Sequence, residues 1–168
     1  MKLRETLTLP LPAAAAAAMY ADPEYTEIRR TTLGASRAES TLDGDPSAAF
    51  TVRTELSMPT DRVPDMVRPF VGSSVTIHET QSWSAPEADG SRTGTMSLEV
   101  AGTPAGLTGT ARLLAGDGTS STVELEGDLV AKVPLLGPRL EKAALPYVST
   151  VLRAEERSAR TYSQSRTD

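Results

Sequence analysis

Apolar and polar positions change their period along this 168-residue chain, and each change marks an element. Leu3, Glu5, Leu7 and Leu9 alternate with Arg4, Thr6 and Thr8, the period of two expected of a strand. Pro10 and Pro12 end it. The alanine run from Ala13 to Tyr20 predicts a helix, because alanine loses no side-chain entropy on ordering. A second short helix runs over 24–33: Asp22 is placed to cap it, Pro23 fits its first turn and Gly34 closes it.

Period-two patterns then dominate. Strands are predicted over 35–42, 48–57, 74–84, 92–100, 107–114 and 120–133. Phe50, Val52, Thr54 and Leu56 share one face of the second of these, opposite Arg53 and Glu55. Val75, Ile77, Glu79, Gln81 and Trp83 share a face of the next, and Gly94, Met96, Leu98 and Val100 a face of the one after. Asp43-Gly44-Asp45-Pro46, Asp89-Gly90 and Gly116-Asp117-Gly118 supply turns. Between Met58 and Gly72 the pattern shifts to prolines around a short amphipathic piece (Val63, Met66, Val67, Phe70) of about two helical turns. It reads either as an ordinary connection or as a flap over a pocket mouth.

Pro134 stops the last strand and Pro138 suits the first turn of a helix. Leu140, Ala144, Tyr147, Val148, Val151 and Leu152 then recur at helical spacing toward Tyr162, with Pro146 predicting a kink. Residues 163–168 read as a frayed tail behind a single domain over 1–162. The order is strand, two helices, six strands in consecutive hairpins, and a long helix. That is an α+β layout whose antiparallel sheet must curl.

Composition narrows the function. Hydrophobic residues make up 39% but aromatics only 4%, so the core is built mostly from Ala, Val and Leu, compatible with a sheet around a hollow. A net charge of -5 and no basic face argue against nucleic acid as a partner. There is no cysteine, and the single histidine, His78, shares its face with Thr76 and Thr80 on the solvent side. Disulfides and thiolate chemistry are therefore excluded, and no metal or cofactor is expected. Lys2, Arg4 and the apolar run to Met19 imitate a signal peptide, but Glu5, Pro10 and Pro12 interrupt it, so a cytoplasmic protein is expected. No apolar run approaches the length of a membrane span, so no stable membrane insertion is expected. The glycines between Gly102 and Gly106 lack the following helix and lysine of a phosphate loop.

Three stretches carry a family likeness: Asp22-Pro23-Glu24-Tyr25 after the alanine helix, Trp83 on a middle strand, and Val133-Pro134-Leu135-Leu136-Gly137 before the last helix. With these, nearly the whole chain resembles the helix-grip fold of the START-like superfamily of polyketide cyclases, plant pathogenesis-related proteins and lipid-transfer domains. Within it, the chain is similar to a bacterial branch known as domain-of-unknown-function family 2505. The proline-glycine passage followed by Leu140-Glu141 is the most specific match. The resemblance implies a hydrophobic cavity between curled sheet and terminal helix. It transfers no reaction, and no cyclase catalytic motif matches residue by residue.

The residues expected to line that cavity are Phe50, Val52, Thr54, Ile77, Glu79, Gln81, Trp83, Met96, Leu98, Leu113, Tyr147, Val148 and Val151. Leu140, nearer the helix end, is expected to pack tightly on the sheet. Glu5, Thr54, Glu79 and Gln81 are polar on faces that point inward, which demands partners, a wet cavity or a shift of register. Glu155 and Glu156 lie near the apolar stripe, but Arg153, Arg157 and Arg160 make a solvated helix end the simpler reading. The expected function is binding of a hydrophobic small molecule or lipid without catalysis. Two alternatives stand beside it. One is a cyclase- or hydrolase-like enzyme using an acid in the cavity, with Glu79 the candidate; the other is an acidic protein-interaction module.

Overall fold

The computed structural model describes residues 1–167. Strand β1 (Lys2–Leu9) leads into helices α1 (Ala13–Tyr20) and α2 (Pro23–Leu33). Strands β2 (Arg37–Gly44) and β3 (Phe50–Pro59) follow, then a one-turn helix α3 (Arg68–Val71). Strands β4 (Ser74–Trp83), β5 (Arg92–Val100), β6 (Ala105–Ala115) and β7 (Ser121–Ala131) lead to the long helix α4 (Gly137–Thr167). All seven strands form one antiparallel sheet in the order β1-β7-β6-β5-β4-β3-β2. Sequential hairpins build this order; only β1 pairs out of sequence, with β7.

Local chemistry sets the helix boundaries. Asp22 caps α2, its side chain accepting from the Glu24 N–H at 2.9 Å, and Gly34 closes the helix in the left-handed conformation at φ 69°. The Ala35 N–H is spent on the Arg30 carbonyl, which is why β2 begins later than its pattern suggests. The amphipathic piece before β4 makes one helical turn rather than two. Pro64 holds a separate turn, its carbonyl accepting from Val67 and Arg68.

The end of the chain differs from expectation. Residues 163–167 continue α4 instead of fraying. Arg166 reaches back to Asp22 and Glu24 at 2.6 Å each, and the Tyr162 hydroxyl donates to Asp22 at 2.8 Å. Asp22 therefore caps α2 and also anchors the far end of α4. Asp168 lies outside the described residues.

Helices α1, α2 and α4 cover the concave face of the sheet. Leu7, Leu9, Met19, Leu107, Leu113 and Val123 are among the most completely buried side chains. Curl is built into β5, β6 and β7 by glycines that let backbones approach. Gly109 pairs with Gly127, and a Cβ on Gly109 would lie 2.0 Å from the Glu126 carbonyl oxygen. Gly94 faces Trp83, where a Cβ would lie 2.9 Å from the indole ring. The bare glycine leaves room for that ring at the core. Gly109→Ala should therefore destabilise the protein by about 1–3 kcal/mol, since the obstructing atom is backbone and cannot swing aside. Urea unfolding checks this; an unchanged midpoint would mean that the sheet relaxes freely at this bend.

Candidate functional site

The interior beneath α4 has two unlike ends. The first is a cavity of about 130 Å³ with an almost wholly apolar wall. The sheet contributes Val75, Ile77, Leu98, Val100, Leu107 and Leu129; α4 contributes Leu140, Ala144, Tyr147, Val148 and Val151. Val63, Pro64, Val67, Phe70 and Val71, from the segment joining β3 to β4, close a third side. That segment is tied to itself. Thr60 donates to the Gly72 carbonyl at 2.7 Å, and Arg68 donates to the carbonyls of Thr60 and Val63 at 3.1 and 3.0 Å.

The second end is polar and small, about 20 Å³, lined by Tyr20, Arg29, Glu79, Gln81, Trp83 and Glu155 among others. Its chemistry follows from the two-residue period of β4, which puts Glu79, Gln81 and Trp83 side by side on the concave face. The Trp83 indole N–H donates to Gln81 at 3.3 Å, and Gln81 donates to Glu79 at 3.2 Å. Arg29, from α2, completes the row. Its two terminal nitrogens donate to the two Glu79 oxygens at 2.9 and 3.0 Å, a bidentate pair. Burial alone would pull the Arg29 pKa down, but the charge of Glu79, then of Tyr25, outweighs it and raises it instead.

Among the described residues Glu155 has no such ion-pair partner; its polar neighbours are the Tyr20 and Tyr25 hydroxyls. It descends from α4 beside Tyr20 and Tyr25, and burial pushes its carboxyl up to about 7, Arg29 opposing and Glu79 reinforcing the shift. The same burial, and then the nearness of Glu155, raises the hydroxyl pKa values of Tyr20 and Tyr25. Rings hold the group in place: Tyr20 stacks on Trp83 at 5.6 Å, and Tyr25 meets Tyr20 edge-on at 5.8 Å. Tyr25 is 3% exposed, and its hydroxyl lies against the Glu155 carboxyl, with no hydrogen bond of ordinary geometry among the described residues.

The residues expected to line a cavity divide into three groups. Ile77, Leu98, Tyr147 and Val148 line the apolar space, Glu79, Gln81, Trp83 and Met96 the polar one, and Val151 lines both. Phe50, Val52, Thr54 and Leu113 line neither; all four are buried in solid packing. Phe50 is covered by Arg92, whose guanidinium lies 5.3 Å from the ring and donates to the carbonyls of Ala48 and Ser84. Leu140 borders the apolar cavity as well as packing on the sheet.

Glu155 corrects the expectation of a solvated helix end, and Arg29 was not expected at all. Glu5, the other inward acid, is met by Ser149 and by Arg153 at 3.1 Å, both on α4. His78 is exposed on the outer face, 3.7 Å from Glu55. Among the described residues no cluster of His, Cys, Asp or Glu is suited to a metal ion, and no helix is long and apolar enough to cross a membrane.

Glu155 makes stability depend on pH in a defined direction. Above the ordinary value of 4.5 the unfolded chain gives up this proton, while the folded protein retains it up to about 7. The contribution is therefore full below about 4.5 and is lost as pH rises toward about 7. Glu155→Gln should flatten this part of the profile, so that the variant gains on the parent protein between those limits. Melting both proteins across this range tests it; parallel profiles would place the Glu155 carboxyl in solvent. Arg29→Met should cost about 3–5 kcal/mol in denaturant unfolding, because it strands Glu79 in the interior. A cost below about 1 kcal/mol would show that the pair is solvated.

Several solved structures share this architecture. The Zhui aromatase/cyclase from Streptomyces sp. R1128 superposes with a TM-score of 0.63 at 15% identity, over 100% of this chain and 96% of its own. A START superfamily protein from Mycobacterium smegmatis gives 0.58 at 14%, over 96% and 98%. A STAR-related lipid transfer protein from Xanthomonas axonopodis gives 0.57 at 13%, over 95% and 85%. At such identities the likeness is one of fold, and the fold is the START-like helix grip. No curated protein matches the chain. A family model, described as a protein of unknown function, DUF2505, matches residues 4–162, and the chain belongs to that family.

Proposed function

We propose that this protein binds a small hydrophobic molecule in the cavity between the curled sheet and α4. The observation that carries the reading is the cavity itself, about 130 Å³ walled by apolar side chains from sheet, helix and connecting segment. Close-packed interiors leave few voids larger than a water molecule, and apolar ones are dry and take apolar guests. The START-like fold, shared with proteins named for lipid transfer and for aromatase/cyclase activity, supports the reading. The segment with Val67 and Phe70 walls one side of the cavity.

Catalysis is not needed for this role. One feature favours a second reading, an enzyme that moves protons: Glu155 lines the polar space, where burial pushes its carboxyl up to about 7. In that reading Glu155, not Glu79, is the acid, because Glu79 is engaged by Arg29 on both oxygens.

Val148 is only partly buried and borders the cavity. Val148→Phe should fill part of the space, weaken binding of apolar probes about tenfold or more, and leave stability equal or slightly higher. Native mass spectrometry and probe titration on both proteins check this. Failure of a broad panel of apolar probes to bind the parent protein would overturn the proposal.

A further inference from the structure

The turn that leads into α4 holds a leucine where neither the backbone nor the solvent favours one. Going beyond the binding of a guest, we propose that this turn docks the protein on an anionic lipid surface. Leu135 enters the apolar layer, and Lys132, Arg139 and Lys142 meet the charge of the headgroups.

Backbone conformation is the first argument. Val133, Pro134, Leu135 and Leu136 form a turn in which the Leu136 N–H donates to the Val133 carbonyl at 3.2 Å, and the Gly137 N–H donates to the same oxygen at 2.9 Å. Leu135 has a φ of 67°, and among the described residues every other positive φ belongs to a glycine. Glycine or asparagine is the usual occupant of such a turn position. Leu135 is also 98% exposed, so no packing within the protein offsets the strain. The leucine is unfavourable to the free protein on both counts, which points to a contact outside it.

Surroundings are the second. Leu136, Phe70 and Val130 are exposed apolar side chains as well. Phe70 and Val130, with Val133 of the turn, also line the apolar cavity. Exposed apolar surface and cavity wall thus share side chains.

Charge is the third. The whole protein carries -5, yet the stretch from Leu129 to Lys142 holds Lys132, Arg139 and Lys142 against one acid, Glu141. All three cations are exposed, and none has an ion pair among the described residues. Glu141 is already engaged by the Ala131 N–H at 3.0 Å and by the N-terminal ammonium at 3.2 Å. Asp65 pairs with Arg68, and Asp128 with Lys2. The first turn of α4 contains Arg139 and no acid, the reverse of what the helix dipole favours. Anionic headgroups supply the missing countercharge. A leucine standing clear of the surface between cations suits a fluid apolar layer beneath an anionic one, whereas a stable protein interface needs a broad packed face.

Flotation of the intact protein with lipid vesicles at low salt tests this. One set is phosphatidylcholine alone; the other is phosphatidylcholine mixed equally with phosphatidylglycerol. Expected is binding to the mixed vesicles about tenfold or more above that to phosphatidylcholine, weakening as salt is added. Leu135→Gly should lower it about tenfold without lowering the melting temperature, because glycine suits the turn. Replacing Lys132, Arg139 and Lys142 together by glutamine should abolish the preference for phosphatidylglycerol. Leu42→Ser, at an exposed leucine on the edge strand β2, should leave binding unchanged. No binding to the mixed vesicles, equal binding to both sets, or binding that survives Leu135→Gly would overturn the proposal. A dimer that Leu135→Gly dissolves, without vesicle binding, would overturn it in favour of a second copy of the chain. Titration of apolar probes in free solution decides the binding of a guest separately from all of these outcomes.

Discussion

The interior is organised by the need to neutralise one carboxylate. Glu79 lies on the concave face of a central strand, 5% exposed, where an unpaired charge is strongly unfavourable. The pair with Arg29 meets that need, and meeting it has consequences elsewhere. Arg29 belongs to α2, so the ion pair positions that helix over the sheet. The fork geometry leaves no oxygen of Glu79 without a strong donor, and Gln81 adds another. With both terminal nitrogens of Arg29 committed, Glu155 on α4 is left without a comparable partner. Burial, reinforced by the charge of Glu79 and opposed by Arg29, then raises the pKa of Glu155.

The other buried polar contacts do different work. Asp22 joins the start of α2 to the end of α4 through Tyr162 and Arg166, and Glu5 ties β1 to the middle of α4 through Ser149 and Arg153. These attachments lie on the β1 side and at the C-terminal end of α4. The N-terminal half of α4, from Leu140 to Val151, borders the apolar cavity. Pro146 lies in that half, where its missing donor cannot bond the Lys142 carbonyl. Along that half, Glu141 accepts from the Ala131 N–H and Ser149 meets Glu5, so the stretch that borders the hollow is also held by polar contacts.

Much of this architecture was legible in the residues. Period-two alternation located the seven strands, and Asp22-Pro23 with Gly34 marked α2 through caps that act locally. The inward turn of Glu79, Gln81 and Trp83 followed from the same alternation. The partners were harder to read. Arg29 and Glu79 are 50 positions apart, and nothing in the spacing of α2 singles out Arg29 from Arg30, which turns outward to Glu27. Glu155 was misleading because its arginine neighbours imply solvent, whereas α4 turns them outward and Glu155 inward. Phe50, Val52, Thr54 and Leu113 point inward as their strands require. Alternation identifies a face, but which parts of that face meet side chains and which meet space depends on the curl of the sheet.

The hollow has a thermodynamic cost that bears on its purpose. At roughly 24 cal/mol per Å³, an unfilled space of this size forgoes about 3 kcal/mol of stability. That is a large fraction of what holds a domain of this kind together. The lining makes the void easy to remove in principle. Valines and alanines at Val75, Val100, Ala144, Val148 and Val151 leave room for larger side chains, and Tyr147 borders the space with a hydroxyl that has no partner among the described residues. A sequence under pressure only to fold has several single substitutions available that would close it. A guest that enters the cavity restores the missing contacts, and because it binds only the folded state it shifts the folding equilibrium in proportion to its concentration.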